Sequence, residues 1–145
     1  MLLILKNFIK VLPAQLAEQI KIINDSYLTV DLHQKEFDYV ISVMTFHHLL
    51  YSSKKNLYTK ICKSLKVGGK YIEGDYIVSE EKEKILLEKF ELSNQNKSIE
   101  DGFFHIDIPF SLKTEKELLN EAGFHNFNLI FKKDEVAVYV LRKEE

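Results

Sequence analysis

The run Phe37-Asp38-Tyr39-Val40-Ile41-Ser42-Val43, followed at once by Met44-Thr45-Phe46-His47-His48-Leu49, is the most strongly patterned segment of the chain. Its nearly continuous apolar, β-branched start predicts a parallel strand covered on both faces at the centre of a sheet. Downstream, Ser52 or Ser53 is placed to cap a helix that carries Leu57, Ile61 and Leu65 on one face, with Tyr58 and Cys62 beside them, and Gly68-Gly69 to end it. A strand over residues 70–78 follows. Ser79 and three glutamates within the next five residues suit a helix N-terminus, and the apolar positions Ile85, Leu86, Leu87 and Phe90 continue that helix.

Residues 93–102 are polar and irregular and lead into Phe103-Phe104-His105-Ile106-Asp107-Ile108-Pro109, an extended candidate lid. Thr114 and Glu117 have the spacing of a capping box ahead of Leu118, Leu119, Ala122 and a Gly123 stop. Residues 127–131 and 136–141 flank a four-residue polar connection, as in an antiparallel hairpin. Upstream, Leu2, Leu5, Phe8 or Ile9, and Leu12 fall on one face of a helix that ends before Pro13. A helical turn over residues 13–18 and a short strand at 20–24 precede the Phe37 strand. Twelve residues, 25–36, lie between these two strands, and once Asp25-Ser26 has stopped the first, only the eight at 29–36 are left as the connection. A parallel crossover to an adjacent strand needs about a dozen. Eight residues reach at most about 28 Å, and skipping two strands needs only about 14 Å. The two strands are therefore expected to stand apart, with the strands that belong between them absent.

Length and composition narrow the function classes. The 145 residues, 46% hydrophobic and 29% charged, are those of one globular domain, 1–145. A net charge of -2 offers no general attraction to nucleic acid or to anionic lipid. Lys6 and Lys10 interrupt the apolar N-terminus, so it is expected to be neither a signal peptide nor a membrane span. Cys62 is the sole cysteine and reads as a small buried hydrophobe in a cytoplasmic protein. Lys54-Lys55 and Lys132-Lys133 read as solvated charges. Glu73 and Asp75 share one face of their strand and read as structural or pocket-rim residues.

The Phe37 to Leu49 run, then Leu65-Lys66-Val67-Gly68-Gly69, Tyr71-Ile72-Glu73-Gly74-Asp75 and Glu121-Ala122-Gly123-Phe124 with a terminal hairpin, resembles the later motifs of class I S-adenosylmethionine-dependent methyltransferases. The resemblance implies an incomplete Rossmann-like α/β fold with a mostly parallel sheet and a C-terminal antiparallel hairpin. It also implies that the first strand, its glycine-rich turn and the ribose-binding acid after the second strand lie outside residues 1–145. The five glycines, at 68, 69, 74, 102 and 123, do not replace that turn.

Carried over by position, the resemblance makes Asp25 and Ser26 the contacts to adenine, with an Asx-type turn as the competing role for Asp25. It places Ser42, Val43 and Met44 along the methionine part of S-adenosylmethionine, at the strand end where open α/β sheets bind ligands. Phe46 would offer a ring face to the sulfonium. His47 would take a proton from the acceptor. His48, His105 and Asp107 are substrate candidates. Adjacent histidines point apart on a helix or strand, so no metal pair is expected. The implied reaction is methyl transfer to a small molecule, with weak or no cofactor binding by this chain alone. The alternative is a non-catalytic partner subunit that forms a homodimer or joins a complementing chain through the open strand edge.

Overall fold

The computed structural model describes residues 10–94 and 107–145. His105, most of the candidate lid, and the helix expected before Pro13 except for Lys10 to Leu12 lie outside the described residues. The chain divides into two compact units, Met1–Asp31 and Leu32–Glu145. In the first, Pro13 opens the short helix α1 (Ala14–Ala17), as its fixed φ favours. Residues 20–24, expected as a strand, form no ladder. A strand is held by backbone bonds to a neighbour, and none pairs with them among the described residues.

The second unit contains β1 (Phe37–Val43), a 3-10 turn (Phe46–His48), α2 (Tyr51–Ser64), β2 (Leu65–Tyr76), α3 (Glu80–Asn94), α4 (Leu112–Glu121), β3 (Phe127–Lys133) and β4 (Val136–Arg142). The sheet order is β1-β2-β4-β3. β1 runs parallel to β2, while β2–β4 and β3–β4 are antiparallel. The α/β class and the terminal hairpin hold. Within the sheet, parallel pairing, expected for most of it, is confined among the described residues to β1 and β2, with one isolated parallel bridge between Val78 and Ser111.

Three local signals resolve differently from expectation. The glycine pair does not end α2, which stops at Ser64. The register jumps from Phe37↔Leu65 to Tyr39↔Lys70, and Gly68 (φ +81) and Gly69 lie in that bulge. A Cβ on Gly69 would sit 2.8 Å from the Lys66 carbonyl oxygen, so the glycines serve a close backbone approach. At α2's other end neither Ser52 nor Ser53 is the cap; both lie within the helix. For α4, Ser111 takes the cap position ahead of Thr114: its hydroxyl accepts from Thr114 N at 3.3 Å. The Thr114 hydroxyl donates instead to Glu83.

α2 and α4 lay Leu57, Tyr58, Ile61, Leu118 and Leu119 against Tyr71, Tyr139 and Leu141 of the sheet, with Phe110 and Phe124 closing the layer. Each such side chain contributes about 1.5–3 kcal/mol by leaving water. The other sheet face is not covered in this way. Tyr39, Ile41 and Val43 are 60%, 65% and 62% exposed, and among the described residues β1 pairs only with β2. Among the described residues, the strand expected at the sheet centre thus lies at an edge. No helix among the described residues is long and apolar enough to cross a membrane.

Candidate active site

The parallel pair β1–β2 ends where the chain must leave the sheet, and one carboxylate organises that exit. Met44 takes φ +50 while its N–H still reaches the Gly74 carbonyl at 2.8 Å. A left-handed non-glycine residue costs about 1–3 kcal/mol and is typical of functional strand ends. The 3-10 turn then starts against Asp75. Asp75 Oδ2 accepts from Phe46 N at 2.8 Å and His47 N at 3.1 Å. Its Oδ1 accepts from Tyr76 N at 2.8 Å and lies 2.5 Å from His47 Nδ1. Both side chains are buried, a setting in which a carboxylate needs this many donors.

This network assigns the proton of the neutral imidazole to Nδ1 and leaves the Nε2 lone pair pointing away from Asp75. His47 Nε2 lies 4.0 Å from Asp107 Oδ1. The Ile108 N–H donates to the His47 carbonyl at 3.0 Å, which ties the end of the candidate lid to the turn. The edge of Tyr76 meets the His47 ring at 4.9 Å. Tyr76 and Asp107 also line an open cleft of about 330 Å³ with Lys82, Leu86, Pro109 and Glu135. A larger groove of about 410 Å³ between α3 and α4 is lined largely by glutamates. There Lys113 pairs with Glu80 and Glu83 holds Ser111 and Thr114, so the groove reads as the seam between two helices.

The remaining sequence candidates separate clearly. Val43 and the partly exposed Met44 stand at the open strand end. Ser42 turns the other way into the core. Phe46 is 5% exposed and its ring packs against Tyr58 at 5.9 Å, so it offers no open face to a cation. His47 and His48 do not point apart as expected: their ring centroids are 3.9 Å apart, because a single 3-10 turn imposes neither helical nor strand alternation. In the first unit, Asp25 Oδ1 accepts from Ser26 N at 2.7 Å and from the Thr29 hydroxyl at 3.3 Å. Ser26 Oγ accepts from Leu28 N at 3.2 Å. The bond to the backbone two residues on is thus made by Ser26, as an ST-type turn, and Asp25 is held locally by its neighbour's N–H and by Thr29.

Asp75, which the sequence reading left at the rim, organises the 3-10 turn, and its shared face with Glu73 marked it as inward. Lys54, read as solvated, is fully buried and paired with Glu115. The Tyr58 hydroxyl lies 2.8 Å from both Glu115 Oε2 and Glu73 Oε2, and the Tyr71 hydroxyl donates to Glu73 Oε2 at 2.9 Å. Burial works to lower the Lys54 pKa, but the carboxylates of Glu115 and Glu73 outweigh it and raise it. Burial pushes Glu73 up to about 7, against the pull of Lys54. It likewise drives Tyr58 and Tyr71 well above the ordinary phenol range.

No protein-family model and no curated protein sequence matches the chain. Solved structures do share its fold. Human N-acetylserotonin methyltransferase, solved with S-adenosylmethionine, matches at a TM-score of 0.63 and 20% identity, over 88% of this chain and 35% of its own. An S-adenosylmethionine-dependent methyltransferase of Thermotoga maritima matches at 0.58 and 19%, over 90% of this chain and 69% of its own. One from Methanosarcina mazei matches at 0.60 and 14%, over 83% and 65% respectively. The chain thus spans about a third of the length of the human enzyme. It carries the fold of part of an S-adenosylmethionine-dependent methyltransferase domain.

Proposed function

We propose that this chain supplies the acceptor side of a class I methyltransferase site that acts on a small molecule, with His47 as the general base. The observation that carries the reading is the 2.5 Å contact between Asp75 Oδ1 and buried His47 Nδ1 at the carboxyl end of β1 and β2. A carboxylate on Nδ1 fixes the tautomer and stabilises the imidazolium that forms when Nε2 takes a proton. Proton removal makes a hydroxyl or amine acceptor more nucleophilic, and the half-open cleft beside Tyr76 and Asp107 has room for a small one. S-adenosylmethionine, when bound, supplies the activated methyl group.

The residues that would meet the cofactor fit it only in part. Val43 and Met44 are exposed at the strand end, whereas Ser42 and Phe46 face the core and Asp25 is engaged in its own turn. The chain by itself is therefore a weak cofactor binder in this reading. The test is release of S-adenosylhomocysteine from methyl-labelled cofactor at millimolar concentration, across a panel of small phenols, amines and carboxylic acids. His47→Ala is expected to reduce turnover about 10²–10⁴-fold with little change in cofactor affinity. Equal turnover by the variant would remove His47 from this role.

A second reading rests on a separate observation, the edge of β1 that has no neighbour among the described residues and the exposed Tyr39, Ile41 and Val43. We infer that a further strand, from another segment or a second chain, pairs there, since an open apolar edge is a template for strand addition. Light scattering across protein concentration tests it. Concentration-dependent association is expected, and a strictly monomeric, cooperatively unfolding chain at high concentration would count against it.

A further inference from the structure

His47, His48 and Asp107 each bring one ligand atom to within 4.8 Å of the others. We propose that they form a binding site for a divalent transition-metal ion such as Zn²⁺ or Co²⁺, independent of the cofactor reading. Two imidazoles and one carboxylate are a borderline donor set. It suits late first-row ions and is poor for Mg²⁺ or Ca²⁺, which prefer oxygen shells. With bonds near 2.0–2.1 Å, tetrahedral ligand atoms stand about 3.3 Å apart. The 4.0 Å between His47 Nε2 and Asp107 Oδ1 closes to that by a side-chain rotation of Asp107, whose side chain is 62% exposed.

Two features outside the ligand set point the same way. Asp75 holds His47 Nδ1 and aims the Nε2 lone pair at the cluster, the carboxylate–histidine support that metal-binding imidazoles commonly have. The backbone bond from Ile108 N to the His47 carbonyl brings Asp107 beside two histidines some sixty residues earlier in the chain. Three protein ligands leave a fourth position open toward the cleft, as in sites that also hold water or substrate. A metal on Nε2 occupies the lone pair that a general base would use, so metal loading and proton removal by His47 exclude one another.

Co²⁺ titration of the full chain, read by visible absorption and by displacement with Zn²⁺, tests the site without any transfer assay. A tetrahedral d–d band saturating in the micromolar range is expected. His48→Ala and Asp107→Ala should each weaken binding at least about 10-fold, and Asp75→Asn about 10–100-fold. His125→Ala, at a histidine outside the cluster that pairs with Asn120, should bind as the parent does. No band at millimolar Co²⁺, or binding unchanged in both His48→Ala and Asp107→Ala, would overturn the proposal, whatever the outcome for methyl transfer.

Discussion

Glu73 and Asp75 stand two residues apart on the same face of β2, and both are buried, but they are supplied with donors in opposite ways. Asp75 is met by three backbone N–H groups and an imidazole. Among the described residues Glu73 receives only hydroxyls, both on Oε2, and its Oε1 has no partner. The Tyr58 hydroxyl has one proton but touches a carboxylate oxygen on each side, Glu73 and Glu115. Were both acids ionised, one of those contacts would set two acceptors face to face. A proton on Glu73 removes the conflict, because Glu73 then donates to Tyr58 and Tyr58 to Glu115. Fixed backbone donors make a carboxylate an anchor. Shared hydroxyls beside a second acid make it a proton holder.

The largest expected effect comes from removing the only cation of the second cluster. Lys54→Met leaves Glu115 buried without its partner, a change that costs about 3–5 kcal/mol. Urea unfolding at pH 7 measures it. Adding Glu115→Gln to Lys54→Met should recover most of the loss, since the penalty comes from an unpaired buried charge. A loss under about 1 kcal/mol in the single variant would mean that water reaches the cluster.

Next in size is the pH dependence that Glu73 imposes. Its folded pKa of about 7 exceeds the ordinary 4.5 of a glutamate, so the folded state binds the proton more tightly. Its contribution is fully present below about pH 4.5 and is lost as pH rises toward 7, about 3 kcal/mol in all. Glu73→Gln mimics the protonated acid. It should match the parent near pH 4.5, exceed it by about that amount at pH 8, and flatten this part of the stability profile. An unchanged slope in the variant would place the proton on another group.

Much of this architecture was legible in the residues. The apolar run of β1, the glutamates at the start of α3 and the alternation of β4 each carry their own periodicity. Lys54 and Glu115 were missed although their positions signalled burial: Lys54 shares a helical face with Tyr58 and Ile61, and Glu115 with Leu118, Leu119 and Ala122. Charge overrode spacing in that reading. Ser111 and Thr114 are competing caps three residues apart, and local sequence does not choose between them. The Asp75–His47 pair had no short-range signal, because it follows from the register that sets Val43 opposite Gly74. The meeting of the two histidine rings depends on a three-residue 3-10 turn, which no periodicity announces.

The smallest effect falls on the better-supplied acid. Asp75→Asn keeps an acceptor for part of the network but turns an NH2 group toward N–H donors, leaving one or two of them unsatisfied. The expected cost lies toward the low end of about 1–3 kcal/mol, below that of Lys54→Met. The local consequence should be clearer than the global one. An amide oxygen holds the proton on Nδ1 less firmly than a carboxylate, so the ¹⁵N shifts of His47 should move toward a mixture of tautomers while those of His125 stay fixed. A loss as large as that of Lys54→Met with an unmoved His47 spectrum would reverse the contrast, making Asp75 the structural keystone and no longer the residue that orients the imidazole.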